Sequence, residues 1–227
     1  MYRNEGRPIS PAATPPSAVL CVDGLRFSYP ARPLWTDLNL HIPAGVTLVS
    51  GGDGCGKSTL LRLLAGELRA QAGRFTLNDA PLDPLQASYR QQVFWADSRS
   101  EAFESVTPMA YFATLRPRYA NWEAAAVAVV AEGLSLTPHL NKPIYMLSTG
   151  SKRKVWLTAA LVAGAAVTFI DEPFAALDKP SIQFLSARFC EAARHPTRAW
   201  VLADYEAPGD VPLAGRIDLP DSVAQGQ

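Results

Sequence analysis

The sequence predicts an α/β fold: a largely parallel sheet wound with helices, an antiparallel β piece in front of it and a helical lobe inserted midway. Three observations carry that prediction. "GVTLVS" (Gly45 to Ser50) is a short β-rich apolar run, and it feeds a glycine-rich turn followed by the helical "TLLRLLAG". Downstream, apolar strand-like runs alternate with Ala- and Leu-rich helical runs, the order of a parallel sheet. Upstream, "VLCVDGLRFSYPARPLWTDLNLHIP" (Val19 to Pro43) alternates apolar and polar residues in two stretches separated by Pro-containing turns, as paired antiparallel strands do.

The elements follow in order. After the glycine-rich turn and its helix, "RFTLN" behind Gly73 reads as a strand, and "QQVFWA" (Gln91 to Ala96) as another, with Gln91 and Gln92 inside it. From Pro108 to about Leu140 the chain is helical in character, with "PMAYFATL" and "NWEAAAVAVVAEGL" bordered by Pro and Gly. "STGSKRKVWLTAALVAG" is a helix with Ser148 as its N-cap. "AVTFIDEP" is a buried strand, "KPSIQFLSARFCEAARH" a helix opened by Pro180, and "RAWVLAD" the last strong strand. Past Tyr205 the chain turns Pro- and Asp-rich. The domain division is a Pro-rich mobile leader over 1–18, one domain over 19–220 with the helical lobe at about 98–165, and a polar tail over 221–227.

Composition narrows the class. Of 227 residues 48% are hydrophobic, enough to bury a core. Lys plus Arg and Asp plus Glu both number 21, so no basic field exists to track a nucleic-acid backbone, and no nucleic-acid partner is expected. Three cysteines (Cys21, Cys55, Cys190) show no metal spacing and suit reduced thiols. The leader lacks the apolar core of a signal peptide. The apolar stretch Trp156 to Ile170 is too short to span a bilayer and reads as a helix end followed by a strand.

The chemistry concentrates in "SGGDGCGKSTLLRLLAG". Gly51, four residues, then Gly56, Lys57 and Ser58 fit the phosphate-binding pattern, which makes the sheet a P-loop NTPase core. Glycines let successive N–H groups point inward as an anion nest, and the following helix turns its positive end to the same anion. The candidate nucleotide-binding residues are Gly51, Gly52, Asp53, Gly54, Cys55, Gly56, Lys57, Ser58 and Thr59. Lys57 reaches the β- and γ-phosphates, and the Ser58 hydroxyl is a Mg²⁺ ligand. Cys55 has two readings, a thiol activated by the nest or a small buried filler. The run Val167 to Ile170 ends in Asp171 and Glu172. Taken alone these are an acidic strand end before Pro173. Placed at the carboxyl edge of a parallel sheet, Asp171 is a second metal ligand and Glu172 a group that polarises an attacking water.

"YMLSTGSKRKVWLTAAL" and "DEPFAALD", together with "GGDGCGKST", resemble the ATP-binding-cassette ATPases from Val19 to about Asp204, which implies the ABC ATPase fold. Leu147, Ser148 and Gly150 match that family's serine-glycine signature, while Thr149 and Ser151 depart from it. Leu177 and Asp178 match its L-D turn. Tyr29 in "RFSYP" stands where the family places an aromatic that stacks on adenine; it also reads as an ordinary strand tyrosine. The resemblance implies ATP and Mg²⁺ as cofactors, and a signature surface (Ser148, Thr149, Gly150) that caps the γ-phosphate of an ATP held by another subunit. It therefore implies a homodimer, or a heterodimer with another ABC ATPase. It also implies a separate transmembrane permease and a cytoplasmic position on the inner face of the membrane. The short lobe and "DEPFAALDK" resemble the compact ATPases of heme exporters and ABC-2 drug exporters, an exporter subunit.

Two positions depart from the family. Asp97 stands where a Mg²⁺-touching glutamine is usual, and Asp204 where a histidine contacts the γ-phosphate. His41, His139 and His195 all read as surface residues away from that place. A carboxylate facing the γ-phosphate is unfavourable unless it turns away or is protonated. With Glu172 and Lys57 present as catalytic residues, slow hydrolysis is expected. The alternative is an ATP-gated dimerising clamp with negligible turnover. A chromosome or DNA-repair ATPase would need a coiled coil or zinc insert between Ser58 and Ser148, and neither occurs.

Overall fold

A computed structural model describes residues 18–30, 32–95 and 102–220. Strands β1 (Ala18–Tyr29) and β2 (Arg32–Pro43) pair antiparallel, with Leu20 opposite Ile42 and Phe27 opposite Trp35. β4 (Ala72–Leu77) lies antiparallel on the other side of β1, and the two-residue β5 (Ala80–Pro81) closes this sheet in the order β2-β1-β4-β5. Leu20, Val22, Leu25 and Ile42 are fully buried beneath it, as the alternating pattern requires.

The second sheet is parallel throughout. It contains β3 (Gly45–Ser50), β6 (Val93–Trp95), β7 (Val167–Asp171), β8 (Ala199–Ala203) and β9 (Gly215–Asp218), in the order β6-β7-β8-β3-β9. β3 is buried at every residue, which is why it reads as a continuous apolar run rather than an alternation.

Side chains leave this sheet alternately to two cores. Val49, Val167, Phe169 and Val201 pack with Leu60, Leu61 and Leu64 of α1 (Lys57–Leu64) and with the antiparallel sheet. Phe94, Ile170, Trp200 and Leu202 face the opposite core. That core is built from α3 (Pro108–Leu115), α4 (Ala126–Gly133), α5 (Thr149–Val162) and α6 (Lys179–Ala192). α1 and α5 therefore lie on opposite faces of one sheet.

Several boundaries correct the sequence reading. Gln91 and Gln92 are not in a strand: they follow the short α2 (Ala87–Arg90), and the Gln92 carbonyl accepts from Ala166 and Val167 N–H groups at 2.8 and 3.2 Å. α2 is anchored by Tyr89, whose buried hydroxyl donates to the Leu64 carbonyl at 2.6 Å. α4 starts five residues later than "NWEAAAVAVVAEGL", because Glu123 N–H donates to the Val162 carbonyl at 2.8 Å and ties the segment to α5. β9 was not expected: "GRID" is short and pairs along one edge only. Ala18 belongs to β1 rather than to the leader; residues 1–17 and the tail from 221 lie outside the described residues. His41 is exposed, but His139 and His195 are half-buried, and His195 Nδ1 accepts from Arg198 N–H at 3.0 Å.

Candidate nucleotide site

The loop from Gly51 to Gly56 joins the buried end of β3 to the first turn of α1. Gly51 adopts φ 149°, and a Cβ there would fall 2.6 Å from Cys55 Sγ and 2.8 Å from the Leu219 carbonyl, so only glycine fits. Cys55 is buried against that bend, only 5% exposed, the small filler of the two readings. Lys57 is buried too, and its Nζ donates to the carbonyls of Gly51 and Gly52 at 2.6 and 2.9 Å. The ammonium is thus held inside the loop by its own carbonyls. Ser58 and Thr59 occupy the first turn of α1, where the helix leaves N–H groups unbonded.

Residues not expected from the motif brace this loop. Arg32 Nη2 donates to the Gly54 carbonyl at 2.6 Å. The Ser50 hydroxyl donates to Asp218, whose carboxylate also accepts from Arg216 Nε at 2.7 Å; these hydroxyl and guanidinium bonds hold the Asp218 acid below its usual range. Tyr29 ends β1 as an exposed residue, with its hydroxyl 3.2 Å from Thr59 Oγ1, beside the loop.

The acidic pair stands at the same edge. Asp171 aligns with Ala203 across β7 and β8, and Ala203 aligns with Val49 across β8 and β3. Asp171 is therefore level with the strand end that opens the loop, two strands away. Glu172 takes φ 47°, and its N–H donates to the Ala203 carbonyl at 2.8 Å, which turns the chain sharply at this edge. Arg153, on α5, donates to the carbonyls of Asp171 and Glu172 at 3.0 and 2.6 Å and lies 3.9 Å from the Glu172 carboxylate. Sequence reasoning missed Arg153, which gives no signal beyond one cation in a helical run.

Ser148 caps α5: its hydroxyl accepts from Ser151 N–H at 3.2 Å. Ser148 and Thr149 are exposed. Gly150 is half-buried, and a Cβ on it would meet the Ala176 carbonyl at 2.4 Å, so the start of α5 touches the turn that follows Glu172. Asp178 caps α6 by accepting from Ser181 N–H at 2.9 Å, and it also pairs with the buried Lys154 ammonium. The Lys154 hydrogen bond foremost, then the Ser181 bonds, hold the Asp178 acid well below the usual carboxylate range.

The Asp204 carboxylate is engaged by its own neighbour. Its Oδ1 accepts from Tyr205 N–H at 2.8 Å, and its own N–H donates to the Val49 carbonyl at 3.1 Å. The side chain that reaches the loop is its neighbour. The Tyr205 ring lies 4.4 Å from Lys57 Nζ, and its hydroxyl donates to Asp53. Tyr205 had not been singled out, since nothing in "ADYEAP" marks it. Asp97 lies outside the described residues.

A glycine-rich loop with its buried lysine, level with a carboxylate pair that ends a parallel strand two places away in the sheet, defines a P-loop nucleotide-binding protein of the α/β class. Residues 35–175 match the ABC transporter family, and the chain belongs to it, as an ATP-binding and ATP-hydrolysing subunit. It is 29% identical over 184 residues to the cytochrome c biogenesis ATP-binding export protein CcmA of Pseudomonas syringae pv. syringae (strain B728a), covering 80% of this chain and 86% of that one. It is 34% identical over 160 residues to the aliphatic sulfonates import ATP-binding protein SsuB of Pseudomonas putida, covering 70% of this chain but only 57% of that relative. Among solved structures, an ATP-binding subunit of an ABC transporter superposes with TM-score 0.72 at 23% identity, covering 82% of this chain and 79% of the other. At that identity the likeness concerns the fold. Among the described residues no helix is long and apolar enough to cross a membrane.

Proposed function

We propose that this chain binds ATP with Mg²⁺ in the loop Gly51 to Thr59 and hydrolyses it slowly, as one half of a dimer that drives a separate membrane permease. The observation that carries this reading is the Lys57 ammonium held among the loop carbonyls at the same sheet edge as Asp171 and Glu172. ATP phosphates would take over the Lys57 ammonium and the N–H groups of the nest. Tyr29 is the adenine-side aromatic by position. Glu172 holds the attacking water, with Arg153 orienting the backbone that carries it.

The donor set suits Mg²⁺. Ser58 offers a hydroxyl and Asp171 a carboxylate, and among the described residues no cluster of three or more His, Cys, Asp or Glu forms an all-protein cage. Mg²⁺ prefers that arrangement, one or two protein oxygens with the remainder from phosphates and water. When bound, the ion neutralises charge on the β- and γ-oxygens.

Asp178 belongs to the turn that follows the acidic pair, and Ser148, Thr149 and Gly150 form the surface that caps a partner's ATP. Asp97 and Asp204 are the two altered sensor positions. The domain is one unit over 18–220, β1 included from its first residue, with the lobe at about 98–165. Export is favoured by the likeness that covers 80% of this chain and 86% of a protein named for export, against one that covers 57% of a protein named for import. The site is tested by nucleotide titration of wild type and Lys57→Ala. Binding that survives the substitution with wild-type affinity refutes the assignment.

One observation favours a second reading, an ATP-gated clamp with negligible turnover: the end of β8 presents no imidazole, and the Asp204 carboxylate is spent on its own turn. Steady-state release of phosphate from Mg-ATP by the chain with and without its permease separates the two.

A further inference from the structure

Asp204 has its carboxylate on Tyr205 N–H, so the residue at the altered position is engaged locally. The next residue is not. Tyr205 is 51% exposed, with its ring face 4.4 Å from the Lys57 ammonium and its hydroxyl donated to Asp53 in the loop. We propose that Tyr205 is the side chain that meets the terminal phosphate from the end of β8, its hydroxyl moving its hydrogen bond from Asp53 to a γ-phosphate oxygen.

Lys57 is the cation that faces the β- and γ-phosphates in such a loop, so a hydroxyl carried on the ring that covers this ammonium stands beside the terminal phosphate. A γ-phosphate oxygen is an anionic acceptor of the same kind as the Asp53 carboxylate, and the Tyr205 side chain is half exposed, so its hydroxyl can exchange one acceptor for the other. The charged groups around the phenol are Lys57 beneath it and the carboxylates of Asp53, Glu172 and Asp204. The hydrogen bond to Asp53 first, and then burial and the charges of those three acids, push the Tyr205 phenol above its ordinary value. It therefore remains a protonated donor at neutral pH. A neutral donor is what a γ-phosphate site needs where an imidazole is lacking, and Asp204 cannot supply it.

This inference rests on the nucleotide reading, and one set of titrations tests the two separately. ADP and the non-hydrolysable AMP-PNP are titrated against the full chain as wild type and as Tyr205→Phe, which keeps the ring over Lys57 and removes the donor. Wild type that binds neither ligand removes the nucleotide reading itself. If both bind, Tyr205→Phe should leave ADP affinity within about twofold and weaken AMP-PNP roughly ten- to hundredfold, the effect of losing a hydrogen bond to a charged group. Single-turnover hydrolysis of ATP should fall by a similar factor. Unchanged AMP-PNP affinity overturns the proposal. So does an equal gain for both nucleotides, which would make Tyr205 a lid over the loop with no part at the terminal phosphate.

Discussion

At the scale of single residues the site depends on where two buried groups point. Lys57 turns inward on the carbonyls of Gly51 and Gly52, so it shapes the loop as well as offering charge to an anion. Lys57→Ala removes both, and nucleotide affinity should drop by roughly a hundredfold or more, since charge-assisted bonds are the strong ones; isothermal titration with ATP measures it. Cys55 points the other way, beneath the bend at Gly51, and its burial argues for packing over reactivity. A maleimide should leave Cys55 unmodified in the native chain and modify it fully after denaturation, as read by peptide mass. Rapid native labelling that ATP suppresses would restore the activated-thiol reading. The glycines, Lys57 and the acidic pair were legible because their chemistry is local in sequence. Tyr205, Arg153 and Arg32 were not, because each reaches the site from a different element and only the fold brings them there.

Among the elements, the N-termini of α5 and α6 are the informative ones. The Ser148 cap could be read from sequence, because a Ser before a helix-forming run has one obvious use, whereas Asp178 was read only as part of the L-D turn and its cap on α6 emerges from the structure. β9 and α2 could not, since four residues give no usable periodicity and both are fixed by tertiary contacts. Asp178 carries two jobs, capping α6 and neutralising the buried Lys154. Asp178→Ala should cost about 1 kcal/mol for the cap and more for the stranded ammonium, whereas Asp178→Asn should keep most of the cap. The sign of the pH dependence follows from the direction of the shift. The folded-state acid is held below its unfolded value, so its contribution is complete above the ordinary carboxylate pKa, about 4, and is lost as pH falls through the depressed one. Urea midpoints should therefore separate wild type from Asp178→Asn at pH 7 and draw steadily together as the pH falls below about 4. A gap that widens on acidification would reverse the assignment. Gly150 is the contact between α5 and the turn after Glu172, and Gly150→Ala should force the Ala176 carbonyl to move. Its expected signature is slower hydrolysis with unchanged ATP affinity, because the displaced turn follows directly on the acidic pair and leaves the loop alone.

On the scale of the whole molecule, the sheet separates the starts of α1 and α5. Val49, Phe169 and Val201 face α1 and its loop, while Ile170 and Leu202 face the core that holds α5. The exposed Ser148 and Thr149 thus sit at a helix start on the face of the sheet opposite the one that carries α1. A single chain offers one nest and one exposed helix start on different faces, an arrangement that two copies can join reciprocally, each start covering the other copy's phosphate. ATP is then part of the interface, and the interface should last as long as the γ-phosphate does. Glu172→Gln keeps every group that holds the nucleotide and takes away the carboxylate that activates water. Light scattering of that variant with saturating Mg-ATP should show twice the monomer mass, and with Mg-ADP the monomer mass. Adding Ser148→Arg, which places a long side chain on the capping surface and leaves the loop intact, should return the ATP-bound variant to a monomer with ATP affinity retained. A dimer that forms equally with ADP, or that survives Ser148→Arg, would mean that the copies meet through some other surface and that the nucleotide does not join them.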